Sequence, residues 1–301
     1  MTHLYFSQRA GLNPYPNGLP LKGVTDLFVR IYDQLQQDGY FDEAFGYECV
    51  DAGFIPGKVC DIDLEILLAI RKRDLWPVGK CAANYSEDDF FDVIEFLFQH
   101  VSKPVDGQYH SYSDCGMHWA TFNTADGRKV YCERVNVVLA HYERQFELSP
   151  SGEVLQKPEQ GFERIFAADI PSKDPKIVDR VNAAVLQFRR HGSTINDRRQ
   201  AVRDLADVLE YLRPRVQSVL TSNDEKDLFN LANNFGIRHH NDRQRTNYDT
   251  TLWLGWMFYF YLSTVHVLLR KMDQDRASVE QTNRARLAKK RPPESDNKGK
   301  Q

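Results

Sequence analysis

Leu252 to Leu269 is a run of 18 residues without a formal charge, and no other stretch limits the choice of fold as strongly. A run of that length reaches the threshold for crossing a bilayer. It nevertheless contains Gly255, Ser263, Thr264 and His266, and its tyrosines and tryptophans sit mid-run instead of forming belts at the two ends. The sequence offers no second candidate. A helix apolar on every side is equally the central helix of a bundle or a dimer seam, so a buried helix is expected here and no membrane partner.

The residues ahead of that run supply the rest of a bundle. Lys176–Arg190 places Val178, Val181, Val185 and Phe188 on one face and stops at Gly192, which is helical spacing with a terminator. Thr194 to about Leu220 carries Ala201, Val202, Leu205, Val208, Leu209 and Leu212, with Pro214 expected to kink it. Ser222 and Glu225 have the spacing of a capping box for a third helix. That helix runs into Gly236 and Ile237, a left-handed C-cap and its apolar lock. Four helices with short connections predict an antiparallel bundle over 158–275.

Between the third and fourth helices stand Arg238, His239, His240 and Asn241, with Arg243 and Arg245 close by and Asp249 as the next N-cap. An arginine fork grips phosphate in a bidentate manner, and a histidine titrates near neutrality and can move a proton. The same residue types also suit a helix C-terminus, where cations meet unpaired carbonyls and the negative end of the dipole.

The first half, 1–157, reads as α-rich with a small β component. Leu21 to Gly39 has one apolar stripe (Val24, Leu27, Phe28, Ile31, Tyr32, Leu35). Helices are also expected around Tyr40–Val50, at Leu64–Arg71, at Asp88–Val101 behind Ser86 as N-cap, and at Arg128–Arg144. FELSPSGEVL has two short alternating runs about a turn, a β-hairpin. The segment from Lys103 to Asn123 has no helical period. It reads as a structured loop with a short strand at His118–Phe122, or as a site. The proline-containing stretch KPEQGFERIFAADIPSKDP is the best boundary between the halves.

Charge separates these parts. Residues 1–157 carry 14 Lys+Arg against 23 Asp+Glu, 158–275 carry 17 against 16, and 276–301 carry 8 against 3. A polyanion would therefore meet the C-terminal half. Residues 276–301, with RARLAKKR followed by PPESDNKGKQ, read as a basic disordered tail. The five cysteines are odd in number and form no CxxC pair, which suits a reducing cytoplasm better than a disulfide framework.

Taken together, YFSQRAGLNP, GYFDEAFGYECVDAGFIPG, DDFFDVIEFLFQHVSKP, YHSYSDCGMHW, RRQAVRDLADVLEYLRP and NNFGIRHHN resemble bacterial abortive-infection proteins of the AbiJ-like type, with a family-specific N-terminal domain and a C-terminal HEPN-like domain. The resemblance implies a mainly α fold and phage defence. It also implies RNA, tRNA or another cellular RNA, as partner, with pairing of two chains through the C-terminal helices. In HEPN nucleases an arginine holds the scissile phosphate, a polar residue follows it, and a histidine four to six residues on assists attack by the 2′-OH. Arg238 and His239 match the first two positions. The following HNDRQRTN lacks the distant histidine, so catalysis would fall to Arg238, His239 and His240, with Asn241, Arg243 and Arg245 binding RNA. The alternative is a non-catalytic binding, dimerisation or regulatory module.

Two further clusters stand out. His110, Asp114, Cys115 and His118 lie within nine residues, and Cys115-x2-His118 has the spacing of two zinc ligands. A second close pair is missing, so no metal and no cofactor is expected. Glu87, Asp88, Asp89, Asp92 and Glu95 open a helix, where carboxylates complement the dipole, and they read as structural.

Overall fold

A computed structural model of the chain describes residues 3–159, 161–216 and 250–289. The fold is mainly α, and it divides into two compact units, Met1–Lys157 and Pro158–Gln301.

The first unit contains helices α1 (Phe6–Arg9), α2 (Leu21–Gln37) and α3 (Asp42–Phe45), strands β1 (Tyr47–Cys49) and β2 (Gly53–Ile55), and helices α4 (Ile62–Ile70), α5 (Val78–Cys81) and α6 (Glu87–His100). Strands β3 (Lys103–His110) and β4 (Gly116–Asn123), helix α7 (Thr124–Leu139), and strands β5 (Phe146–Leu148) and β6 (Val154–Gln156) follow. Its core is built where the stripes of three helices meet. Val24, Phe28, Tyr32 and Leu35 come from α2, Phe90, Ile94 and Leu97 from α6, and Tyr131, Val135 and Leu139 from α7, all buried. Phe28 meets Phe90 edge to face at 5.4 Å. The fully buried Tyr131 satisfies its hydroxyl on the Ile94 carbonyl at 3.0 Å, as a buried polar tip requires.

The acidic start of α6 is structural, as its position implies. Ser86 and Asp89 cap each other's backbone, and Lys72 bridges Asp89 and Asp92 at 2.8 Å each. Glu87 accepts from Tyr142 and Arg144, and Glu95 accepts from the Val154 amide at 2.6 Å. That last bond, with the Asn136 amide paired to both backbone groups of Leu148 at 2.9 and 2.7 Å, fixes the β5–β6 hairpin on α6 and α7.

Two expectations change. The helix over Tyr40–Val50 is one turn, α3, followed by β1. Gly46 breaks it at φ +79°, with β2 so close that a Cβ there would lie 2.1 Å from the Ile55 carbonyl oxygen. The short strand expected at His118–Phe122 is one arm of a long antiparallel hairpin, β3–β4, whose register shifts around Asp106. This hairpin buries no residue on either arm. The hairpin is nevertheless anchored midway along its length, because Trp119 lies over Gly39, where a Cβ would stand 2.4 Å from Nε1.

The second unit contains α8 (Glu163–Ala167), α9 (Pro175–Arg189), α10 (Ile195–Val216) and α11 (Thr250–Lys289). Asp174 caps α9, and Thr194 and Asp197 cap α10 reciprocally. The α10 helix continues through Pro214 to Val216. Tyr211, near the end of α10, reaches Asp174 at the start of α9 at 3.3 Å, and Arg198, near the start of α10, lies over Phe188 at the end of α9 at 5.4 Å. The two helices are therefore antiparallel. Phe258, in the early turns of α11, stacks on the same Phe188 at 3.9 Å, so α10 and α11 begin at the same end of the unit.

The apolar run that opened the sequence is this unit's central helix. Leu254, Met257, Phe258, Tyr261, Leu262, Val265, Leu268 and Leu269 are buried against α9 and α10. Thr251–Gln274 has the length and apolarity of a membrane span, and the core helix of a packed unit meets the same criteria. The helix reaches Lys289, so residues 276–289 are helical instead of belonging to the expected tail.

Candidate functional site

The two arms of β3–β4 are joined by Ser111–Cys115, and alternation along the strands decides which side chains meet beyond the join. His110 stands opposite Gly116 and Gln108 opposite His118. His110 and His118 are therefore diagonal neighbours on one face, close enough for ring contact. Their centroids are 4.9 Å apart. Tyr109 and Met117 occupy the other face and are exposed.

The join is a single 3-10 turn in which Ser113 and Asp114 have φ of 49° and 54°, followed by Gly116 at 107°. This reversal turns Cys115 back towards the histidine face, with Sγ 3.3 Å from His118 Nε2. Asp114, grouped with these residues in sequence, instead accepts the Tyr109 hydroxyl.

A fourth member arrives from β1. Tyr47 and Cys49 share one face of that strand, two residues apart. The Tyr47 ring lies 5.0 Å from that of His118, and Cys49 Sγ lies 3.9 Å from His110 Nδ1. Cys49 is buried, and its thiol donates to Asp51 Oδ1 at 2.8 Å. Asp51 Oδ2 in turn stands 3.5 Å from His110 Nε2. Thiol and carboxylate shift each other. The Asp51 hydrogen bond pushes the Cys49 thiol up, and the same bond holds the Asp51 carboxyl below its ordinary value.

Cys49, His110, Cys115 and His118 thus present four ligand atoms that all lie within 4.8 Å of one another. A tetrahedral zinc with bonds of about 2.0–2.3 Å has ligand–ligand edges of about 3.3–3.8 Å. The Cys115–His118 pair, at 3.3 Å, already has that size, and the Cys49–His110 pair, at 3.9 Å, is slightly wider. The remaining cysteines are placed differently. Cys81 donates to the Trp76 carbonyl and Cys132 to that of Ser149, burial pushes the Cys132 thiol up to about 11, and Cys60 is exposed.

Sequence spacing grouped His110, Cys115 and His118, where no metal was expected, and missed Cys49, which is 61 residues from His110. The signal available was faint: Tyr47-x-Cys49 alternates ahead of the turn residues Asp51 and Gly53. Arg238, His239, His240, Asn241, Arg243 and Arg245 lie outside the described residues. Of the arginines on the neighbouring helices, Arg189 is buried over the Phe166 ring at 5.0 Å and Arg198 lies over Phe188, so both take part in packing. No family model, curated protein or solved structure matches the chain.

Proposed function

We propose that this chain is a cytoplasmic phage-defence protein of the abortive-infection kind, whose second unit is an antiparallel, HEPN-like bundle that engages RNA. The observation that supports it most is the direction of the helices. In an up-down-up-down bundle the second and fourth helices begin at the same end, and α10 and α11 do. Residues 217–249, which join them, carry Arg238, His239 and His240. In this reading Arg238 grips a phosphate through its fork, His239 and His240 move a proton at a ribose 2′-OH, and Asn241, Arg243 and Arg245 hold the strand.

A second reading, a binding or dimerisation module without hydrolysis, is favoured by the outer face of α11. Phe260 and Val267 stand there two turns apart and are exposed, apolar side chains of the kind that a second chain would cover. Incubation of the full chain with total and transfer RNA, with and without EDTA at a dose that leaves circular dichroism unchanged, separates the two. Cleavage that persists in EDTA and is lost in Arg238→Ala supports the nuclease. RNA that stays intact with the folded wild type, together with a dimer in sedimentation, supports the module.

A further inference from the structure

We propose that Cys49, His110, Cys115 and His118 form a structural Zn2+ site that staples the tip of the β3–β4 hairpin to the β1–β2 hairpin. Three independent observations converge on it. The first is the ligand set: two sulfurs and two imidazoles with their ligand atoms within 4.8 Å of one another are a donor set zinc takes, and four protein ligands leave no open position for substrate.

The second is the outer partner. His110 turns Nδ1 towards Cys49 and Nε2 towards Asp51. A carboxylate on the far nitrogen of a histidine is the arrangement that fixes a metal-binding tautomer and ring orientation. His118 is oriented by the Tyr47 ring and offers Nε2 on the side of Cys115.

The third is what the hairpin lacks. Neither arm of β3–β4 buries a side chain, and two-stranded hairpins are marginal on their own. Its tip also holds Ser113 in the left-handed region, at a cost that neighbouring contacts must offset. A metal adds such contacts. Binding exchanges the two thiol protons for one Zn2+. Two thiolates, two neutral imidazoles and the dication then sum to zero charge, and the metal's binding energy becomes folding energy for both hairpins.

The test is the zinc content of the untagged full chain, purified without added metal, read by elemental mass spectrometry. About one zinc per chain is expected. The expected content in Cys49→Ser/Cys115→Ser is background, and that in Cys60→Ser is unchanged. Asp51→Asn should keep the metal but bind it about 10–100-fold more weakly in competition with a chelator. Should the double variant fail to fold, the wild type decides: after replacement by Co2+ it should show thiolate-to-cobalt charge transfer and tetrahedral d–d absorption. A folded, metal-free wild type overturns the proposal. So does zinc that survives loss of both cysteines, or a Cys49–Cys115 disulfide in the isolated protein. None of these results bears on the RNA reading, which concerns the other unit.

Discussion

Phe188→Ala should strongly destabilise the second unit while leaving the first intact. Phe188 is 7% exposed. Phe258 stacks on it at 3.9 Å with 10° between planes, and the Arg198 guanidinium lies 5.4 Å from its centroid. Truncation removes the contact joining the end of α9 to the starts of α10 and α11. For a buried phenylalanine the loss of transfer energy plus the cavity comes to about 3–5 kcal/mol, including the ring pair itself. Against a whole-domain stability of about 5–15 kcal/mol, that is a large share. With a urea m value near 2 kcal/mol/M, the unit's midpoint should fall by about 1.5–2.5 M. Phe188→Leu, which keeps most of the volume, should cost less than half as much. Hydrogen exchange read by peptide mass separates the units: α9 to α11 should lose protection, and α2, α6 and α7 should keep theirs. A loss below about 1 kcal/mol would show that the ring stack does not hold the helices together. Equal loss in both units would contradict their independence.

Asn136→Ala removes both hydrogen bonds to Leu148 and should cost about 1–3 kcal/mol, with exchange in β5–β6 rising before the rest of the first unit in a urea series. Burial raises the Asp42 carboxyl from 3.8 to about 6. Its protonated form therefore favours the fold, and this contribution, complete below pH 3.8, is lost as pH rises through about 6. Asp42→Asn should flatten the stability–pH curve across that window, and an unchanged slope would remove Asp42 as its source. His266 is buried, and desolvation, with Arg270 nearby, holds its pKa below 6.5. Its contribution is full above pH 6.5 and is lost on acidification, so His266→Gln should make the second unit less acid-sensitive in thermal melts.

What could be read from the sequence was whatever buries a regular stripe. The helices α2, α6, α9 and α10 follow from apolar spacing, with Ser86 as the cap of α6, and β5–β6 from alternation about its turn. Each has an inward face that selection for a core keeps apolar. The β3–β4 hairpin has no such face, so its residues carry no period and read as a loop. The same absence explains the partial view of the metal cluster. His110, Cys115 and His118 are adjacent through one hairpin, whereas Cys49 joins them only because β1 packs its Tyr47–Cys49 face against theirs, a tertiary relation that local spacing does not encode. Near Tyr40–Val50 the helical pattern was real for one turn. It was overridden at Gly46, where β2 approaches too closely for any side chain.

The most direct measurement is X-ray absorption at the zinc edge on the full chain in solution. Two sulfur neighbours at about 2.3 Å and two nitrogen neighbours at about 2.0–2.1 Å are predicted, with the sulfur shell lost when Cys49 and Cys115 are replaced. An edge signal with only nitrogen and oxygen neighbours, or none at all from folded protein, would contradict the account.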